Sequence, residues 1–291
     1  MLPDYVTRFA PSPTGPLHLG HAYSALVGWD RALAAGGTFL LRIEDTDSGR
    51  CKPEYEAAIY DILTWLGIIW PRPVLRQSDN SSTYRSALNR LIAMGICYPC
   101  RCGRRDVQRA LSAPQEGAPL FGPDGVIYPG TCRGRAMSDA KAGDAIRLDM
   151  ARAVAWLGDV ARFGYLETGP TGAGLQQLNA AHLTTRVGDV VLARRETGEV
   201  AYHLAVVVDD AAQGVTEVVR GADLAEATHI HRVLQALLQL PAPSYYHHRL
   251  IRDDAGKRLA KRDDARALSK YRAEGATPAD IRQMLELGDR R

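Results

Sequence analysis

Apolar and polar positions along the first hundred residues switch between two periods. Val6 to Ala10 reads as a short strand, and Pro11, Pro13, Gly15 and Pro16 break it into a turn. His18-Leu19-Gly20-His21 opens a helix through Ala22–Leu26 that ends at Gly36-Gly37. Thr38 to Ile43 is an apolar run of strand length that delivers Glu44-Asp45-Thr46-Asp47 at its C-terminal end. Residues 53–66 start with Pro and place Tyr55, Ala58, Ile59, Ile62, Leu63 and Leu66 at helical spacing before Gly67. A second helix covers 80–94 and stops at Gly95. Strands alternating with helices predict a parallel, doubly wound α/β sheet.

Residues 97–135 lose that periodicity, and Pro, Gly and Cys take over. Short strands are expected within 144–168 and at 188–193. The nearly unbroken apolar run Tyr202–Asp209 reads as a buried central strand. Val215 to Arg220 is a further strand ending at Gly221, 226–239 a helix, Arg249–Ile251 strand-like, and 277–287 a helix of the C-terminal tail. This divides the chain into a main α/β domain (1–96 and 170–240), an insertion (97–169), and a basic loop with a helical tail (241–291).

With 291 residues and 46% hydrophobic content, the chain can bury a full core. A net charge of +3, from 36 basic and 33 acidic residues, neither requires nor excludes nucleic acid. No apolar run approaches the roughly 18 residues of a membrane span, and the N-terminus lacks a leader pattern, so a cytoplasmic protein with no membrane partner is expected; it is also expected to be a monomer. Cys97, Cys100, Cys102 and Cys132 cluster within 36 positions, and Cys51 stands apart. In a reducing compartment that clustering argues for a metal rather than disulfides. No histidine lies between His21 and His182. The fourth ligand of a tetrahedral zinc beside Cys100, Cys102 and Cys132 is therefore Cys97 or Tyr128.

Backbone N–H groups at a glycine-punctuated strand-to-helix turn favour phosphate, and His18 and His21, three residues apart, add donors on one side of the first turn. Near the C-terminus, Gly256-Lys257-Arg258-Leu259-Ala260-Lys261-Arg262 packs four cations into six residues.

Arg8-Phe9-Ala10-Pro11-Ser12-Pro13-Thr14-Gly15-Pro16-Leu17-His18-Leu19-Gly20-His21 resembles the first signature of class I aminoacyl-tRNA synthetases in its glutamyl form. Arg258–Arg262 resembles the second signature, with Arg258 in place of the first Lys, Ala260 in place of the usual Ser, and Lys261 retained. The resemblance covers roughly residues 5–265. It implies a Rossmann-type catalytic domain with a small zinc-containing insertion and a short helical tail. It also implies ATP, accompanied by Mg²⁺, bound by His18, Gly20, His21 and Lys261, with His18, His21 and Lys261 catalytic. L-Glutamate would be held by Arg8, Ser12, Glu44, Tyr202 and Arg220.

The Cys-x-Cys…Tyr-x₃-Cys pattern over Cys100, Cys102, Tyr128 and Cys132 resembles the glutamyl-queuosine branch of that family and favours Tyr128 as the fourth zinc ligand. After residue 265 about one helix remains, too little for an anticodon-binding domain. That branch activates glutamate without tRNA and esterifies it to queuosine at the wobble position of tRNA(Asp); scattered basic residues, Arg101, Arg104, Arg105, Arg133 and Arg135 among them, could meet the phosphates of its anticodon loop. Two alternatives stand beside it: a truncated glutamyl-tRNA synthetase charging a tRNA 3′ end, and a non-catalytic module that holds glutamate or nucleotide.

Overall fold

The computed structural model describes residues 4–111, 121–170, 172–252 and 266–288. In chain order the first part holds β1 (Val6–Phe9), α1 (Leu19–Ala34), β2 (Thr38–Ile43), α2 (Pro53–Trp65), β3 (Leu75–Arg76) and α3 (Ser81–Ala93). Then come β4 (Cys97–Cys100), α4 (Arg104–Leu111), β5 (Phe121–Gly122), β6 (Gly125–Val126), β7 (Ala145–Leu148) and α5 (Met150–Leu157). β8 (Tyr165–Glu167), β9 (Gly174–Gln176), a single turn α6 (Ala180–His182) continuing into a π-helical turn Leu183–Val187, and β10 (Val191–Ala193) follow. The remainder is α7 (Tyr202–Ala212), β11 (Glu217–Gly221), α8 (Ala227–Leu238), β12 (Ser244–His248), α9 (Leu268–Ala273) and α10 (Pro278–Met284).

β1, β2 and β3 pair in parallel, as do β11, β12 and β8, with β9 antiparallel on the edge. The two sets meet where the Thr216 N–H donates to Val6 O and the Val6 N–H donates to Thr216 Oγ1, both at 2.9 Å. Strand order thus reverses between β1 and β11. In open α/β sheets ligands bind at such a reversal, beyond the C-terminal strand ends.

α1 buries Ala22, Ala25, Leu26 and Ala32 against β1 and β2. α2 carries Pro53 in its first turn with Glu54 and Glu56, which suit the positive end of the helix dipole. α9 and α10 return to the same core and bury Leu268, Ile281 and Leu285. A second core gathers α3, α7, α8, Leu148 and Leu192.

The Tyr202–Asp209 run is helix α7, not a strand. Every residue from His203 to Asp210 is buried, since the helix packs against α3, α8 and β10. A helix buried on all sides shows no polar stripe, and its valines mimic a central strand. The strand expected over Arg249–Ile251 ends earlier, at His248, and α5 occupies the middle of the stretch expected to hold only strands.

A small antiparallel sheet runs β10-β7-β4, and β5 and β6 form a separate hairpin. β8, inside 97–169, pairs with the main sheet, and β10, inside 170–240, pairs with the small one.

Gly37 joins α1 to β2, and a Cβ there would lie 2.2 Å from the Tyr5 carbonyl oxygen, which accepts the Thr38 N–H at 2.8 Å and opens the β1–β2 register. Gly37→Ala is expected to cost about 1–3 kcal/mol. Urea unfolding checks this, and an unchanged midpoint would contradict it.

Candidate active site

The C-terminal ends of β1, β2, β11 and β12 open onto one cleft of about 560 Å³. Arg8, Ser12, His18, Gly20, His21, Glu44, Tyr202 and Arg220 all line it, so eight residues picked from sequence lie around a single space. Lys261 falls outside the described residues. The chain on either side of its segment flanks the cleft: Arg249, Leu250 and Ile251 line it, and on the return the Leu268 N–H donates to Leu17 O beside His18.

His18 caps α1. Its Nδ1 accepts the Gly20 N–H at 3.1 Å, and His21 Nδ1 accepts the His18 N–H at 3.1 Å, a capping box made of imidazoles. In a neutral ring this places the proton on Nε2, so the pair is arranged as donors. The ring centroids stand 3.8 Å apart.

Beneath the cleft lies a charged group that sequence reading did not assemble. Asp210 on α7 accepts from Arg8 Nε at 3.0 Å and from the fully buried Arg42 Nη1 at 2.7 Å. Arg42 also reaches Glu44 Oε1 at 3.4 Å and Gln213 Oε1 at 2.9 Å, and stands 3.7 Å from Asp209. Asp209 in turn accepts from Gln77, Asn80 and Tyr84. Burial alone would raise the Asp210 carboxyl, but Arg8 and Arg42 outweigh it and hold it below the usual range. Burial wins at Glu44, whose carboxyl is raised despite Arg42 and Arg8. An ammonium group arriving in the cleft would favour the charged form of Glu44.

Two acids inside a valine run were the available signal. On a helix, Asp209 lies seven residues from Tyr202 and shares its side, whereas a strand would put them on opposite faces.

On the far wall Arg220 is buried. Its Nε donates to His247 Nε2 at 3.2 Å, and its Nη2 donates to Thr228 Oγ1 at 2.6 Å and to Leu224 O at 3.0 Å. Its Nη1 donates to His231 Nδ1 at 3.1 Å. Tyr202 opens α7, with its ring 5.7 Å from that of His231.

Away from the cleft, the sulfurs of Cys100, Cys102 and Cys132 lie within 4.8 Å of one another. Tyr128 Oη is 3.3 Å from Cys100 Sγ and 3.4 Å from Cys102 Sγ, and Cys102 Sγ is 3.5 Å from Cys132 Sγ. A zinc tetrahedron has S–S edges of about 3.7 Å and S–O edges of about 3.5 Å, so this donor set fits the ion. Burial would raise the Cys132 thiol, but hydrogen bonds from Tyr128 and the Arg101 backbone bring it down to about 7. Cys97 packs in the other core, three residues along β4 from Cys100 and hence on the opposite face, with its thiol pushed up to about 12 by burial. Nearby, Arg133 pairs with Asp189 and Arg135 with Asp144, while Arg101 and Arg105 are exposed.

The family model for the catalytic domain of class I tRNA synthetases (E and Q) matches residues 4–116 and 180–288. The glutamyl-Q tRNA(Asp) synthetase of Rhodobacter capsulatus is 60% identical over 285 residues, covering 97% of this chain and all of that one. The chain belongs to the glutamyl-Q tRNA(Asp) synthetases. A glutamyl-Q tRNA(Asp) synthetase from Geobacter sulfurreducens is 40% identical over 93% of this chain and 79% of its own length. Among solved structures, a glutamate tRNA ligase from Elizabethkingia meningosepticum in complex with its amino acid superposes with a TM-score of 0.75 at 25% identity. That match covers 98% of this chain and 61% of the ligase, so this glutamyl-Q tRNA(Asp) synthetase spans about three-fifths of it.

Asp210 carries the clearest pH consequence. Its folded-state pKa lies below the unfolded value, so its stabilisation is complete above about pH 4 and fades as pH falls through the lowered value. Asp210→Asn is expected to cost about 3–5 kcal/mol at neutral pH by leaving two buried guanidinium groups short of a partner. It should also flatten the acid limb of the stability profile. Unfolding curves from pH 3 to 7 check both, and parallel profiles for the two proteins would contradict the assignment.

Proposed function

We propose that the chain activates L-glutamate with ATP, without tRNA, and transfers it to queuosine at the wobble position of tRNA(Asp). The observation that carries this is the convergence of Arg8, Glu44 and Arg220 with the His18–His21 pair in one cleft at the strand-order reversal. Guanidinium groups match the two carboxylates of glutamate, and Glu44 matches its ammonium. The high identity to named synthetases of this activity supports the same reading.

The α-carboxylate oxygen of glutamate attacks the α-phosphorus of ATP, giving glutamyl-adenylate and releasing pyrophosphate. A hydroxyl of the queuosine cyclopentenediol then attacks the activated carbonyl, and AMP leaves. Nε2–H groups of His18 and His21, together with the Lys261 ammonium, would offset charge on the phosphates. The rest of the catalysis is positioning, because no covalent enzyme intermediate is needed. Mg²⁺ would travel with the triphosphate as part of the nucleotide substrate. Such chemistry takes place where tRNA is found, in the cytoplasm.

Zinc would be held by Cys100, Cys102, Tyr128 and Cys132, cross-linking a region whose own core is small. Metal analysis of the purified protein should find about one zinc per chain, lost on Cys132→Ser. A metal-free wild-type protein that keeps its fold would contradict this.

Labelled glutamate should pass to queuosine-containing tRNA(Asp) and not to tRNA(Glu). Transfer to a tRNA 3′ end would overturn the reading. Glu44→Gln should raise the KM for glutamate at least about tenfold while moving that for ATP less than about twofold. Equal losses on both substrates would count against the pocket assignment.

A further inference from the structure

Arg8 and Arg220 are buried in different company. Arg8 shares its charge with Asp210, whereas the groups that hold Arg220 are neutral: two imidazoles, a hydroxyl and a carbonyl. Four of the five N–H groups of Arg220 are taken by these acceptors, and the fifth is on Nη1. The carboxylates stand further back. His247 Nδ1 donates to Glu167, whose other oxygen accepts the Gly169 N–H at 2.8 Å. His231 Nε2 is 3.1 Å from His203 Nδ1, and His203 Nε2 is 3.2 Å from Asp124 Oδ1.

These contacts admit one consistent proton arrangement. Arg220 can only donate, so His231 Nδ1 and His247 Nε2 accept, and each ring carries its proton on the other nitrogen. His231 Nε2–H then donates to His203 Nδ1, and His203 Nε2–H donates to Asp124. Burial, followed by Arg220 itself, pushes the pKa of His231 well below its ordinary value and so keeps the ring neutral. A neutral acceptor fixes the guanidinium without cancelling its charge, which remains available to a carboxylate in the cleft.

Asp124 comes from outside the main domain. It sits at the tip of the β5–β6 hairpin, next to the stretch that supplies Tyr128. The hairpin is seated closely: a Cβ on Gly122 would lie 2.3 Å from Arg186 O of the π-helical turn, and one on Gly188 would lie 2.9 Å from Ile127. The tip therefore reaches α7 at a fixed point.

We propose that Asp124, His203 and His231 form a line of positioning residues through which the β5–β6 hairpin sets the Arg220 guanidinium for a carboxylate of the amino-acid substrate. The inference rests on the reading of the cleft as a glutamate site. It predicts that a half-exposed residue of the hairpin tip, which does not line the cleft, governs the affinity for glutamate and leaves that for ATP alone.

Glutamate-dependent ATP–pyrophosphate exchange tests this with three variants of the full chain. Asp124→Ala should raise the KM for glutamate about tenfold with the KM for ATP and kcat unchanged. His231→Gln keeps a donor towards His203 but loses the acceptor facing Arg220, and should show the same defect. Asp124→Asn keeps an oxygen to accept the His203 Nε2–H, so the line stays intact, and it should recover a glutamate KM within about threefold of wild type. A wild-type glutamate KM in Asp124→Ala would overturn the proposal, as would equal defects in Asp124→Ala and Asp124→Asn. An Asp124→Ala defect shared equally by glutamate and ATP would also overturn it. Wild-type protein with no glutamate-dependent exchange would instead remove the glutamate reading itself, so the two failures are distinguishable.

Discussion

The Asp210 carboxylate, wedged between Arg8 and Arg42, is the contact on which the site depends. It ties α7 to β1 and β2 across 202 and 168 residues of chain. Two buried guanidinium groups this close repel one another, and the carboxylate between them offsets that cost while their charges keep it ionised. Once the bridge forms, the C-terminal ends of β1 and β2 are fixed against the last turn of α7. Arg8, Glu44 and Tyr202 then arrive around one cleft as a consequence of folding.

The cleft has two walls of different electrostatic character. One is an ion network of Arg8, Arg42, Glu44, Asp209 and Asp210 in which charges are shared. The other is Arg220 among neutral imidazoles, where the charge is left for a ligand. A diacid bearing one ammonium has matching requirements: on the proposed reading its ammonium faces Glu44 and its carboxylates face the guanidinium groups. The imidazole cap of α1 lies between the walls and supplies donors where a triphosphate would run. Position in the sheet accounts for this convergence, since the strand order reverses between β1 and β11 and leaves a crevice at that point.

Much of this was legible in the sequence wherever the chemistry sits in a contiguous stretch. Arg8 through His21 announces a strand, a turn and a helix cap within fourteen residues. Glu44 is marked by the apolar run that ends at it, and Cys100, Cys102 and Cys132 by their clustering, with Tyr128 preferred to Cys97 through the family resemblance of the pattern. What escaped was written across long separations. Asp209 and Asp210 lay in a run whose valines fit a strand as well as a fully buried helix, and only packing against α3 and α8 decides between them. Arg42 looked like one polar residue in a strand, and its partners are 167 and 168 positions away. His203, His231 and His247 have no mutual spacing that a motif could express. The sheet to which β8 and β10 belong is likewise a matter of pairing, which local pattern does not encode.

On the proposed reading, the buried network selects a ligand by its ammonium and both of its carboxylates together. Calorimetric titration of the wild-type protein with L-glutamate, glutarate and L-glutamine tests it directly. Glutarate lacks the ammonium that would face Glu44, and glutamine lacks one carboxylate. Each should bind at least about a hundredfold more weakly than glutamate, because each leaves buried polar groups unmatched. Glutarate binding as tightly as glutamate would contradict that selection.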